Sequence, residues 1–486
     1  MKQLVVGIDG GTAAIFDAFD MPFWQSLRNA DVTFDVTEDL NQRGWARMLS
    51  GQDASENGGL YMRPNFDGSR TFDFSFNYEM MSAAAKFRPI WRLAEDAGDR
   101  VGMMNVPTTS PAQAVPGFYV AGGGGGIFQG GLPDGAVYPK ALVSEIEQAG
   151  YIFDTRPGAQ DFSSVRDLTQ HIEEMMKART STFVKLAKSQ EIDFGFLAYR
   201  ATTVLLFLGM SEVAHAMRVP RGDTRRQSWS EGWLAIIESH LRTLDDCLAK
   251  LFDELQPKHH IVTSDHSIVP WTHNVDFNGF LTEAGLAEFG VSGTTLAKSA
   301  AKLVLRPRFR AEMADVPLRQ VFRATATAGR NTKNQPRAFS GTYVYGIYVN
   351  DRDRFGGPVS GDALGAETDG IIDSFNWIAQ QRQIPMQAVR YRSTFGDAPQ
   401  ARILPDVSIL QSGHAFPSIL GSHWYGRNHN FGPVTTLTGA GGMHSGQKGT
   451  KPILMADTSL AALKSENDPM DLRLVYRLTA KLYGAK

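Results

Sequence analysis

The run His259-His260-Ile261-Val262-Thr263 leads directly into Ser264-Asp265-His266-Ser267. The apolar residues predict a buried strand, and the Asp-His pair falls where that strand would leave a sheet. A carboxylate beside an imidazole at such an edge has the chemistry of half a divalent-metal site. A second concentration of ligand-type residues lies nearer the C-terminus. Four of the chain's 11 histidines, His414, His423, His429 and His444, fall within residues 412–444. This points to a functional loop region near the C-terminal strand edges. Arg427 in the same stretch, "YGRNHN", has a guanidinium able to hold a phosphate or carboxylate through two parallel hydrogen bonds.

The elements that must position these groups alternate along the chain. Gln3–Ile8 predicts a strand that breaks at Asp9-Gly10-Gly11. Residues 44–51 predict a short helix stopped by Gly51, and 82–99 a helix followed by a strand over 100–106. Long helices are expected over 167–189 and 231–255, with a strand at 192–200 between them. Short apolar runs separated by helices predict an α/β fold: a mainly parallel sheet covered by helices on both faces. The stretch 340–350, "SGTYVYGIYVN", alternates like a strand of a separate small sheet. The expected division is a core formed by 1–280 and 400–486, with a cap or insertion over 281–399. The main pattern is expected to resume at 402–410 and 451–457.

Composition narrows the function. The 486 residues suffice for a large core. With 49 Lys+Arg against 51 Asp+Glu, the charge gives no support for a general nucleic-acid binder. The basic stretch 217–229 predicts an exposed connector. One cysteine, Cys247 on a predicted amphipathic helix, excludes an internal disulfide framework or thiolate cluster. The N-terminal apolar run is too short for a secretory leader. The longest apolar candidate, 202–210, is about half the roughly 18 residues a membrane span needs. A soluble cytoplasmic protein with no membrane partner is the expectation. The glycine run at 121–131 predicts a surface loop, since no Gly-Lys-Ser/Thr ending follows it.

In order along the chain, several phrases resemble the type I phosphodiesterase/nucleotide pyrophosphatase branch of the alkaline phosphatase superfamily. They are "VVGIDGGT", "NQRGWARMLSGQDASENGG", "RVGMMNVPTTSPAQAVPGFYVAG", "IVTSDHS", "DFNGFLTEAGL" and "GGMHSGQKGTKPILMA". The resemblance implies an alkaline-phosphatase-like fold and two divalent metals that clamp a phosphoryl group attacked by a hydroxyl nucleophile. It places Asp9, the nucleophile position, Asp265 and His266 in one metal site. The other needs a mid-chain Asp and His four residues apart, plus His444.

Two departures alter what the resemblance implies. The nucleophile position holds Asn41, whose amide oxygen can ligate a hard cation but is a poor nucleophile. Thr37 and Asp39 are near in sequence but out of step with that position. The mid-chain positions hold Thr203 and Phe207, and phenylalanine ligates nothing. One metal, zinc or manganese, is therefore expected on Asp9, Asn41, Asp265 and His266, with His444 added to the ligand set. Asn41, His444 and Arg200 are the expected catalytic groups, Arg200 replacing the lost metal's charge beside an anion. Arg427, His429 and His423 are the expected substrate contacts. The expectation is a metal-dependent hydrolase of a phosphate ester, phosphodiester or pyrophosphate, acting on a phosphorylated metabolite or nucleotide. A same-fold enzyme with group-transfer chemistry and a non-catalytic metal- or phosphate-binding relative are the alternatives.

Overall fold

The computed structural model describes residues 1–122, 132–153, 162, 164–218, 231–287, 335–411, 415–418, 424–429, 431–432 and 444–485. An eight-stranded sheet forms the centre. In chain order its strands are β1 (Gln3–Ile8), β2 (Val32–Thr33), β3 (Val101–Met104), β4 (Gly117–Val120), β5 (Val137–Tyr138), β6 (Phe194–Tyr199), β7 (His259–Thr263) and β8 (Leu454–Ala456). Their spatial order is β2-β8-β7-β1-β6-β3-β4-β5. The run β7-β1-β6-β3-β4 is parallel throughout, whereas β8, β2 and β5 join antiparallel.

Every residue of β1 is buried because both faces of the sheet are covered. Leu4, Val6 and Ile8 enter one apolar core, with residues of the helices α2 (Val165–Ser189), α3 (Ala201–Arg218) and α4 (Glu231–Leu255). Val5 points to the other core, with Trp45, Met48 and Leu49 of the helix α1 (Gly44–Ser50). Gly7 lets that helix approach, since a Cβ there would lie 2.6 Å from the Trp45 ring. Helix α1 ends as its sequence predicts, at Gly51 with φ 68°.

The helix expected over 82–99 is two pieces, Tyr78–Ala84 and Ile90–Asp96. Pro89 starts the second piece, and proline disfavours helical backbone in the residue before it.

A second, antiparallel sheet has the order Ala338–Phe339, Gly346–Val349, Val407–Gln411, Met386–Arg390. The helix α5 (Leu364–Gln381) packs Ile371, Phe375 and Ile378 into its core, with Phe277 and Phe280 from the chain leaving β7. Val407–Gln411 therefore belongs to the smaller lobe, not to the resumed main sheet expected from 402. An apolar strand looks the same whichever sheet it joins, so periodicity cannot choose its partner. β8 does return to the main sheet, beside β7. Residues 123–131 of the glycine run, 219–229 of the basic connector and 288–334 of the expected insertion lie outside the described residues.

Candidate metal and phosphoryl site

Three adjacent parallel strands, β7, β1 and β6, deliver their carboxyl ends to one place. Asp9 follows β1, Arg200 follows β6, and Asp265-His266 follow β7. Hydrogen bonds lock these ends together. The Asp9 N–H donates to the Tyr199 carbonyl at 2.7 Å, and the Gly10 N–H donates to Asp265 Oδ1 at 3.3 Å. The Ser264 hydroxyl donates to the Gly11 carbonyl at 2.9 Å and accepts from the Ile453 N–H at 2.7 Å.

Ligand atoms of Asp9, Asp265 and His266 all lie within 4.8 Å of one another, and all three residues are buried. The imidazole is held for ligation. His266 Nδ1 donates to the Ser267 carbonyl at 2.9 Å, which turns Nε2 toward Asp265 Oδ2 at 3.5 Å and Asp9 Oδ1 at 3.8 Å. Burial, and after it the Asp265 charge, raises the Asp9 carboxyl above the usual range; His266, Arg200 and Lys448 pull it back. Burial likewise raises Asp265, against Lys448, the Gly10 N–H, the Tyr61 hydroxyl and Arg200. Two desolvated carboxylates facing one oriented imidazole nitrogen form a donor set that fits a divalent cation.

Arg200 reaches the cluster, with Nε 3.4 Å from Asp9 Oδ2. Thr203 also arrives there. A Cβ on Gly10 would sit 2.8 Å from the Thr203 hydroxyl oxygen, and that buried oxygen has no hydrogen-bond partner among the described residues. Phe207 lies one helical turn further on and faces His266 nearly parallel, with ring centroids 6.3 Å apart and planes at 16°. The chain therefore puts an aromatic ring beside the imidazole.

The other expected site residues divide. The Asn41 amide is turned to the smaller lobe: Oδ1 accepts from the Tyr345 N–H at 3.1 Å, and Nδ2 donates to the Tyr345 carbonyl at 3.3 Å and the Ser408 hydroxyl at 3.2 Å. A third Nδ2 contact runs to Asp39 Oδ1 at 3.3 Å. His444 lies beside Phe207 through its backbone N–H, 2.9 Å from the Phe207 carbonyl, and its Nε2 is 3.2 Å from the Gly432 carbonyl. The one metal-competent Asp/His group among the described residues does not include it. Arg427 and His429 are exposed, Arg427 on the strand Tyr425–Arg427 in register with His273. His414 and His423 lie outside the described residues.

Two residues at the cluster escaped the sequence reading. The half-buried Tyr61 donates its hydroxyl to Asp265 Oδ2 at 3.1 Å, and Lys448 Nζ lies over the Tyr61 ring, 2.9 Å from its centroid. Lys448 stands on the strand Gly446–Gly449, which pairs with Ser267–Pro270 immediately after His266. Neither has a local signal. A tyrosine in "GGLYMR" and a lysine in "GQKGT" look like ordinary loop residues until the ribbon brings them together.

With this geometry in place, the comparisons are specific about family. Residues 3–353 match the type I phosphodiesterase / nucleotide pyrophosphatase family. The chain belongs to that family, within the alkaline phosphatase superfamily that its motif order resembles. No curated protein sequence matches it. Among solved structures it is similar to murine ectonucleotide pyrophosphatase/phosphodiesterase 5, with 10% identity, 100% of this chain and 96% of that one covered, and a TM-score of 0.44. It is also similar to phosphonoacetate hydrolase from Sinorhizobium meliloti 1021 in complex with phosphonoformate, with 10% identity, 99% and 95% covered, and a TM-score of 0.49. Among the described residues no helix is long and apolar enough to cross a membrane.

Proposed function

We propose that the chain is a metal-dependent hydrolase of a phosphate ester, phosphodiester or pyrophosphate, using one divalent ion where the wider superfamily uses two. The observation that carries this reading is the buried Asp9/Asp265/His266 cluster at the ends of three adjacent strands. Those three side chains would hold the ion, zinc or manganese. The ion would supply electrophilic stabilisation of charge developing on the phosphoryl oxygens. Arg200, 3.4 Å from Asp9, contributes a permanent cation to the same task. The hydroxyl nucleophile's position holds the Asn41 amide, so water takes the attacking role and no covalent phosphoenzyme forms there. Phe207 and the buried wall around His266 keep bulk water from the reacting group, which strengthens every charge interaction inside. The substrate is a phosphorylated metabolite or nucleotide.

The aromatic ring beside His266 also favours a second reading, a non-catalytic relative that binds metal and phosphate. One experiment separates the two. Metal content is measured for the wild type and for Asp265→Asn, and both are assayed on p-nitrophenyl phosphate and bis(p-nitrophenyl) phosphate. About one equivalent of metal with turnover, both lost in the variant, supports the hydrolase. Metal without turnover on any phosphoester supports the binding protein. Turnover that survives loss of the metal would sink the proposed mechanism.

A further inference from the structure

Arg200, immediately before α3, and Thr203 and Phe207 within it fall at i, i+3 and i+7, so they share one face of the helix. Both ends of that face meet the cluster. Arg200 Nε stands 3.4 Å from Asp9 Oδ2, and the Phe207 ring faces the His266 imidazole. Thr203 lies between them, at the position where the family resemblance implies a metal-binding aspartate.

Two observations at Thr203 point to a ligand. The residue is 5% exposed, and its buried hydroxyl oxygen has no hydrogen-bond partner among the described residues. A buried hydroxyl without a partner costs free energy that a ligand oxygen would recover. The second observation is a cradle in front of it. A Cβ on Gly10 would sit 2.8 Å from that oxygen and 3.0 Å from the Thr203 Cβ, so the glycine leaves the space before the hydroxyl unfilled. The Gly10 N–H donates to Asp265 Oδ1 at 3.3 Å, which sets the cradle against the carboxylates.

The charge of the place decides the sign of the ligand. An aspartate here would attract a cation. Threonine removes that negative charge and leaves a hydrogen-bond donor in the first turn of α3, where the N–H groups of Thr202 and Thr203 have no acceptor within the helix. The positive end of the helix dipole favours an oxygen carrying negative charge over a metal ion or a neutral water.

Resting on the phosphoryl reading above, we propose that Thr203 is a substrate-binding residue whose hydroxyl donates a hydrogen bond to a non-bridging oxygen of the phosphoryl group. That oxygen takes the place where a second metal would otherwise hold it. The first turn of α3 thus turns half of a cation site into an oxyanion site.

The test measures binding of inorganic phosphate by calorimetry at pH 8. Wild type, Thr203→Val and Thr203→Ser are each loaded with zinc, and elemental analysis confirms equal metal content. Thermal melts without phosphate accompany the titrations. Thr203→Val keeps the shape and removes the hydroxyl; it is expected to bind phosphate at least about tenfold more weakly than the wild type, with Thr203→Ser within about threefold. Without phosphate, Thr203→Val is expected to melt no lower than the wild type, because the lost hydroxyl had no partner. Wild-type phosphate affinity in Thr203→Val overturns the inference, and a lowered kcat beside it would put the hydroxyl on the attacking water instead. A lower melting temperature for Thr203→Val, or Thr203→Ser binding as weakly as Thr203→Val, overturns it too. Hydroxyl-dependent phosphate binding without hydrolysis of either p-nitrophenyl ester leaves the inference standing and removes the hydrolase reading. Hydrolysis by a Thr203→Val variant of unchanged phosphate affinity does the reverse.

Discussion

The ring of Phe207 lies almost parallel to the imidazole of His266, at 16° and 6.3 Å between centroids. The phenylalanine holds the position at which the family pattern implies a metal-binding histidine, four residues after Thr203 where it implies an aspartate. A benzene ring offers no lone pair, and the buried Thr203 hydroxyl is a weak ligand at best. Replacing both, in Thr203→Asp/Phe207→His, is expected to raise bound metal from about one equivalent to about two. Elemental analysis after dialysis against zinc reads this directly, and an unchanged stoichiometry would mean that the second site is closed by more than these two side chains.

Gly44 tests how closely α1 must approach the cluster. A Cβ there would meet the Asp265 carbonyl oxygen at 2.5 Å and Leu472 at 2.6 Å, and the first of these is backbone that cannot swing aside. Gly44→Ala is expected to cost about 1–3 kcal/mol of stability and to weaken metal binding by displacing Asp265. Thermal melts paired with a zinc titration separate the two effects. A variant that melts lower yet binds zinc normally would show that the strain is absorbed by α1.

Much of this site was legible because its groups follow strand ends. Asp9 and Asp265-His266 each terminate an apolar run, and an apolar run ending in a ligand-type residue can be read locally. The parallel sheet was legible for the same reason, through alternating strands and helices. Sheet membership was not, and Val407–Gln411 went to the smaller lobe. Tyr61 and Lys448 reach the cluster only through a bridge at Gln42↔Leu60 and a ribbon at Ser267–Pro270. The ribbon joins residues far apart in sequence, and neither contact leaves a periodic trace. Asn41 was legible in identity but not in direction, because nothing local says which way an amide turns.

Asn41 ties the two lobes together. Its amide makes three hydrogen bonds to Tyr345 and Ser408 of the smaller lobe, and next to it Gln42 donates to the Tyr391 hydroxyl at 2.9 Å. Asn41→Ala would leave the buried Tyr345 N–H without its acceptor. The expected cost is roughly 1–3 kcal/mol in stability, with metal content unchanged. Chemical denaturation and elemental analysis on one preparation check this, and loss of metal with normal stability would return Asn41 to the ligand set.

Acid sensitivity should trace in part to His240, which stands on α4 and is 1% exposed. Its Nε2 lies 3.2 Å from the Thr202 hydroxyl, next to Thr203, and burial pushes its pKa down to about 3. The native state thus keeps this imidazole neutral while the unfolded chain protonates it at its ordinary value of 6.5. Between those values the unfolded state binds the additional proton, so the contribution of His240 to stability is intact above pH 6.5 and declines as the pH falls toward 3. By about pH 4 the loss amounts to roughly 3 kcal/mol. His240→Gln removes the titration while keeping a group able to meet Thr202. Its melting temperature is expected to fall less steeply than the wild type's between pH 7 and about pH 4, measured by calorimetry across that range. Parallel slopes would mean that water reaches the imidazole and that its pKa is close to normal.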